Sequence, residues 1–280
     1  MAVTIHTPSA PLNMYIESMW YSEGAAPFRH LKVMPMPSLH LQINFGEGFQ
    51  MYKPDQTKPF TSCAESWSVG LCNEYHIMDW PERIQVLNVS FRPGGAYPFL
   101  RLPLSELHNQ VVSLDAIWGQ FAAEIRERLY AAPTIQARFI LLEQLLMARQ
   151  HEVPYGLNLV QTAVAEIARR RGVLSIQALS DHLGISQKHL ITQFKHMVGA
   201  TPKELARIYR FRRVLYAIDP TQPVDWRDLA HQSLYYDQPH FNRDFEAFTG
   251  HTPSDYLLLR SQIHVENPRH AQYPQLLPTG

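Results

Sequence analysis

Two short stretches of this 280-residue chain carry the side chains best suited to chemistry. In the first, Leu190 and Phe194 stand four apart and define a buried helix face, which turns Gln187, Lys188, Ile191, Thr192 and Lys195 outward. In the second, Phe241 and Phe245 do the same and leave Gln238, Pro239, His240, Asn242 and Arg243 outside. Amide, imidazole, hydroxyl and basic groups at successive exposed helix positions can hydrogen-bond base edges and phosphates in a major groove. A solvated polar face is the plainer reading of either helix alone. Two homologous copies in a basic region favour DNA.

The copies are related by an offset of 51 residues: Gln187, His189, Phe194, Gly199, Thr201 and Pro202 return as Gln238, His240, Phe245, Gly250, Thr252 and Pro253. Each copy reads as a helix-turn-helix. The first runs through Ile176 to Leu183, Gly184-Ile185 and Ser186 to His196; the second runs from Trp226 through Leu234-Tyr235-Tyr236 to Asp237 and Phe248. Small Ser180 and Ala230 allow the paired helices to cross closely. Ser186 and Asp237 are N-caps, and Gly199 and Gly250 can take the left-handed conformation that ends a helix. Thr201-Pro202-Lys203-Glu204 opens the next helix as a capping box with Pro at its first position.

The helix from Pro202 to Ile218 joins the copies as a rigid strut with Leu205, Ile208, Phe211 and Leu215 inward. It should hold the two recognition helices in adjacent groove segments about 10 base pairs apart. Arg207, Arg210, Arg212 and Arg213 lie on it; phosphate contact, for Arg207 and Arg210 in particular, and a solvated face account for them equally well.

The whole chain bounds these readings. Its 25 basic and 25 acidic residues cancel, but residues 1–154 carry 11 Lys/Arg against 14 Asp/Glu, whereas 155–260 carry 13 against 10. Cys63 and Cys72 form neither a disulfide framework nor a thiolate zinc motif. The start, MAVTIHTPSAPLNMY, lacks the pattern of a signal peptide, and no apolar run is long enough for a bilayer span. A cytoplasmic location is expected, with no membrane partner.

The first hundred residues alternate apolar runs with turns. Strands are expected over Met14 to Tyr21, His40 to Phe45, Trp67 to Leu71 and Ile84 to Phe91, in an antiparallel barrel or sandwich. The polar stretch Lys53 to Ser62 reads as an edge insertion or a lid. Phe121, Ile125 and Leu129, then Ile135, Phe139, Leu142 and Leu146, mark two amphipathic helices that either close over the strands or build a dimer interface. His151 to Gly156 is the expected linker, and the three-Pro stretch 261–280 is expected to be disordered.

Aromatic residues are dense in this half. A barrel mouth offering Trp20, His40, Gln42, Asn44 and Arg92 would suit a small effector, with plain packing as the alternative. There is no HxH pair of the kind a catalytic metal centre uses, and His40 and His76 read as ordinary partly buried histidines.

Leu174 to Tyr256 closely resembles the DNA-binding domain of the AraC/XylS family of bacterial transcription regulators. Most diagnostic are Tyr235-Tyr236-Asp237-Gln238-Pro239-His240-Phe241-Asn242-Arg243-Asp244-Phe245 and Phe248-Thr249-Gly250-His251-Thr252-Pro253. The resemblance implies a seven-helix double helix-turn-helix module whose DNA-binding residues would be Ser186, Gln187, Lys188, Ile191, Thr192, Lys195, Arg207, Arg210, Asp237, Gln238, His240, Asn242 and Arg243. Leu234 stands where the family usually has Gly, Pro239 where it usually has Ser, and Ile191 where it often reads a base. Ile191 suits a thymine methyl. The strand-rich half is similar to the family's cupin-like domains through Val89 to Gly95, Leu104 to Leu107 and Val111 to Leu114.

The fold class expected is therefore a multidomain α+β chain. A cupin-like antiparallel β-barrel with accessory helices occupies 1–153, an all-α double helix-turn-helix domain 154–260, and a disordered tail 261–280. The function expected is sequence-specific transcription regulation with no catalysis, no cofactor and no metal. Partners expected are double-stranded promoter or operator DNA, a small-molecule effector, a second copy of the chain and, for an activator, RNA polymerase. A cupin-type metal-dependent enzyme fused to a DNA-binding module and a ligand-independent dimeric regulator remain alternative readings.

Overall fold

A computed structural model describes residues 1–54, 56–151 and 156–279. Eleven strands are formed among them: β1 (Ala2–His6), β2 (Ile16–Ala25), β3 (His30–Val33), β4 (Leu39–Asn44), β5 (Phe49–Tyr52), β6 (Thr61–Cys63), β7 (Ser66–Val69), β8 (His76–Asp79), β9 (Arg83–Phe91), β10 (Val111–Ser113) and β11 (Leu276–Pro278). The helices of the first half are α1 (Tyr97–Leu100), α2 (Leu114–Trp118), α3 (Gln120–Ala131) and α4 (Ile135–Arg149). Those of the second half are α5 (Leu157–Arg169), α6 (Ile176–His182), α7 (Gln187–Val198), α8 (Pro202–Ala217), α9 (Trp226–Gln232), α10 (Gln238–Thr249), α11 (Pro253–Glu266) and α12 (Pro268–Ala271).

The strands form two antiparallel sheets, ordered β1-β2-β9-β4-β7-β10 and β11-β3-β8-β5-β6. The expected barrel is not closed. Strands β6 and β10, where the two sheets face each other across an open seam, are three residues long and pair only inward, β6 with β5 and β10 with β7. Such short edge strands offer few groups for a closing ladder.

Alternation along β9 shows how the sheet divides its faces. Leu87, Val89 and Phe91 join Met19, Tyr21, Leu41 and Ile43 in the large core beneath α3 and α4, where Ile125, Leu129, Phe139 and Leu142 meet them. Ile84 and Val86 face the other way, into a smaller core with Phe49, Met51, Trp67, Val69 and Met78 between the sheets. The two amphipathic helices thus close over the strands. The stretch Lys53 to Ser62, apart from Asp55, which lies outside the described residues, leads into edge strand β6.

The large core continues into the second half through Val160, Ile167, Leu190, Phe194, Ile208, Phe211, Phe241 and Phe245. Linker positions 152–155 lie outside the described residues. The tail expected to be disordered is ordered. Helix α11 runs on to Glu266, and β11 then pairs antiparallel with β3, Leu277 opposite Lys32. Three contacts fasten the passage: Tyr256 donates to Pro274 O at 2.8 Å, buried Arg260 donates to Tyr273 O at 3.3 Å, and Met34 N donates to Gln275 O at 2.9 Å. Buried backbone groups need partners, and this pairing supplies them for an otherwise open edge.

A candidate nucleic-acid interface

Each recognition helix is positioned by its punctuation. Ser186 Oγ accepts from His189 N at 3.2 Å and begins α7; Asp237 Oδ1 accepts from His240 N at 2.7 Å and begins α10. Gly199 at φ 91° and Gly250 at φ 68° end them in the left-handed region. The capping box of α8 is complete: Thr201 N donates to Glu204 Oε2 at 2.7 Å, and Glu204 N donates to Thr201 Oγ1 at 3.2 Å. Burial raises the pKa of the Glu204 carboxyl, but the Thr201 bonds outweigh it and hold the group below its ordinary value.

Burial then fixes which face is free. Leu190 and Phe194 are wholly enclosed on α7, Phe241 and Phe245 on α10. Gln187, Lys188, Thr192, Lys195, Pro239 and Arg243 are exposed, and Ile191, Gln238, His240 and Asn242 are half-buried beside them. Some of these polar groups are partly engaged within the protein. Thr192 Oγ1 donates to Lys188 O at 2.9 Å, Gln187 bonds Gln177, and Arg243 Nε donates to Pro239 O at 3.3 Å.

The strut arginines turn toward the second helix-turn-helix. Arg207 Nη2 donates to Asp244 Oδ1 at 2.7 Å, where the Asp244 side chain is only 7% exposed, and its guanidinium lies 5.1 Å from the Phe248 ring centre. Arg210 lies over the Tyr235 ring at 5.3 Å. Arg207, for which phosphate contact and a solvated face were equally open, makes an internal ion pair, because the Asp244 carboxylate is buried and needs a cation. Around this pair Trp226, Phe211, Phe241 and Phe245 form an aromatic cluster with centroids 5.6 to 6.3 Å apart.

The second turn holds a residue that the residue types alone did not single out. In the first copy Ile185 N donates to Ser180 O; in the second Tyr235 N donates to Ala230 O, an offset of 50. The N-caps Ser186 and Asp237 are offset by 51, so the second turn contains one extra residue, Tyr236. It is 94% exposed at the amino end of α10. Leu234 before it takes φ 61°, matching Gly184 at φ 68° in the first turn. Counting residues between the left-handed position and the cap would have revealed Tyr236.

Residues 179–258 match the family described as a helix-turn-helix domain, and residues 4–113 match a domain of unknown function, DUF6597. The second half carries a helix-turn-helix domain of the AraC type, and the chain is a DNA-binding transcription regulator. No curated protein matches it. Among solved structures, apo ToxT from Vibrio cholerae is similar at 12% identity over 86% of this chain and 97% of that one, with a TM-score of 0.44. ToxT from the same organism bound to an unsaturated fatty acid gives 12% identity over 85% and 93%, with a TM-score of 0.45. The AraC-like transcriptional activator CuxR gives 16% over 77% and 86%, with a TM-score of 0.24. At these values the likenesses assign no function.

The five effector candidates of the strand-rich half do not all converge. Trp20, Asn88, Gln42 and Trp67 form one cross-strand row, and the neighbouring row holds Ser90 and His40. The His40 ring meets Trp20 edge-on at 5.7 Å, and its Nε2 lies 2.9 Å from Ser38 Oγ. Burial pushes His40 down to about 4 against the opposing effect of Asn88, and pushes His76 to about 4 with help from His40. Asn44 instead stitches a turn, donating to Gly46 O, Glu47 O and Ala64 O at 2.7 to 3.2 Å. Arg92 is exposed and donates to Asn13 O at 3.1 Å. Neither belongs with the row. Among the described residues no three His, Cys, Asp or Glu side chains are grouped to hold a metal, and no helix is long and apolar enough to cross a membrane.

Proposed function

We propose that α7 and α10 enter adjacent major-groove segments on one side of a duplex. Gln187, Lys188, Ile191, Thr192 and Lys195 contact one segment, and Gln238, His240, Asn242 and Arg243 the other. The observation that carries this reading is the matched pair of N-capped helices, each with an apolar face buried and a polar, basic face exposed, in two helix-turn-helix units linked by α8. Ser186 and Asp237 set the helix starts, and Arg207 positions α10 rather than touching phosphate. In vitro selection from random duplexes by the full chain, followed by titration of the selected site, tests it. Enrichment of a bipartite sequence supports the reading, and binding without sequence preference contradicts it.

In this reading the strand-rich half senses a small molecule and modulates the DNA-binding half, in a cytoplasmic regulator without catalytic activity. A second copy of the chain and, for an activator, RNA polymerase complete the partners. Light scattering on the free and DNA-bound protein tests for the second copy.

A further inference from the structure

We propose that Arg227 and Tyr236 grip the phosphate backbone beside the second groove segment, a hold that the first helix-turn-helix lacks. This rests on the paired-reader reading and adds to it two contacts outside the recognition faces.

The repeat locates Arg227. Leu183 N donates to Leu179 O and Ile185 N to Ser180 O in the first copy, as Ser233 N does to Leu229 O and Tyr235 N to Ala230 O in the second. An offset of 50 therefore aligns α6 with α9, and Gln177 and Asp181 correspond to Arg227 and His231. Gln177 bonds Gln187, the first residue of α7, so this position stands beside the start of a recognition helix. Arg227 holds the same position relative to α10. The first helix of such a motif crosses the DNA backbone, and a guanidinium is suited to phosphate.

The two copies differ in charge at that place. Gln177 Nε2 donates to Asp181 Oδ1 at 2.7 Å, which ties a neutral amide to a carboxylate. Arg227 is exposed, and among the described residues its guanidinium makes no ion pair or hydrogen bond. Its acidic neighbours are turned elsewhere. Asp225 Oδ1 caps α9 by accepting from Arg227 N at 2.9 Å and Asp228 N at 3.1 Å, and Asp228, one residue on, does not share the Arg227 face. His231, one turn along that face, replaces the carboxylate of Asp181 with an imidazole.

Tyr236 supplies the second contact. The Tyr235 ring is 7% exposed and meets Phe241 edge-on at 5.3 Å, whereas Tyr236 beside it is 94% exposed. It directly precedes the Asp237 cap and extends the exposed row of Pro239 and Arg243 beyond the amino end of α10. The first turn has no counterpart, because Ile185 there is followed directly by Ser186. A phenol hydroxyl can donate to a phosphate oxygen without adding charge.

Salt-dependent titration of the full chain on its selected duplex tests the grip, together with copies of that duplex carrying single methylphosphonate linkages stepped across the second segment. Arg227→Gln should weaken binding and lower the slope of log affinity against log salt by about 0.9. Tyr236→Phe should weaken binding about threefold and leave the slope unchanged. Neither should alter the selected sequence, because phosphate contacts carry no sequence information. For each variant, one methylphosphonate position should bring it and the wild type to equal affinity. Arg227→Ala serves in the same way if Arg227→Gln fails to fold. Unchanged affinity in either variant, a shifted sequence preference, or no linkage that equalises the pair would overturn the proposal. Variants that match a wild type still selective for its site reject only the grip, whereas a wild type without sequence preference removes the paired-reader reading and the grip with it.

Discussion

The ring of Tyr75 lies 2.7 Å from the position a β-carbon on Gly250 would take. A residue from the strand-rich half thus sits against the carboxyl cap of the second recognition helix. Leu104 O stands in the same relation to Gly199, at 2.8 Å, so the caps of both recognition helices press on the first half. Gly250→Ala should cost about 1 kcal/mol from its left-handed backbone, with a further loss from the ring. Urea unfolding of Gly250→Ala, Tyr75→Ala and the double variant separates the two. The double variant should recover the part due to contact; strict additivity would contradict the docking.

Leu234 holds a left-handed conformation that its side chain disfavours. Leu234→Gly is therefore expected to stabilise the protein by about 0.5 to 1 kcal/mol, less the greater entropy of an unfolded glycine. A fall in the urea midpoint would show that the exposed Leu234 side chain contributes more than its backbone costs.

Arg207 and Lys195 should behave as opposites. Arg207→Ala leaves the buried Asp244 carboxylate without its cation and should destabilise by about 1 to 3 kcal/mol, while the salt dependence of DNA binding keeps its slope. Lys195→Ala should leave stability within about 0.5 kcal/mol and lower the slope of log affinity against log salt by about 1. The reverse pattern would restore Arg207 to phosphate and remove Lys195 from it.

Acid should weaken the fold through buried imidazoles. His40, His76 and His270 are each lowered to about 4, with burial the leading cause. A histidine whose folded pKa lies below its unfolded 6.5 favours the folded state fully above that value and loses the contribution as pH falls toward 4. Unfolding free energy should therefore drop between pH 6.5 and 4. His40→Gln should flatten that drop relative to its own value at pH 7.5; an unchanged pH profile would show that the His40 ring takes up its proton alike in the folded and unfolded states.

Much of the second half was legible because its instructions are local. Caps at Ser186, Asp237 and Thr201, stops at Gly199 and Gly250, and anchors four residues apart each act within one or two helical turns, so the repeat announces the fold. The first half depends on pairings between distant residues. Nothing near Leu276-Leu277-Pro278 signals a partner at Leu31 to Val33, and nothing in the strand spacing shows that β6 and β10 stop short of closing a barrel. The same limit hid the roles of Arg207 and Asn44. Their partners Asp244 and Ala64 lie 37 and 20 residues away, and only packing brings them together. That Trp20, His40 and Gln42 lie on one sheet face was legible because alternation along a strand is a local pattern.

Hydroxyl-radical footprinting of the full chain on its selected duplex, with Lys188→Ala and Arg243→Ala alongside, tests the paired-reader account most directly. Two protected segments about 10 base pairs apart on one face are expected, with each variant relaxing sequence preference in a different segment. A single protected segment, or both variants relaxing the same one, would contradict it.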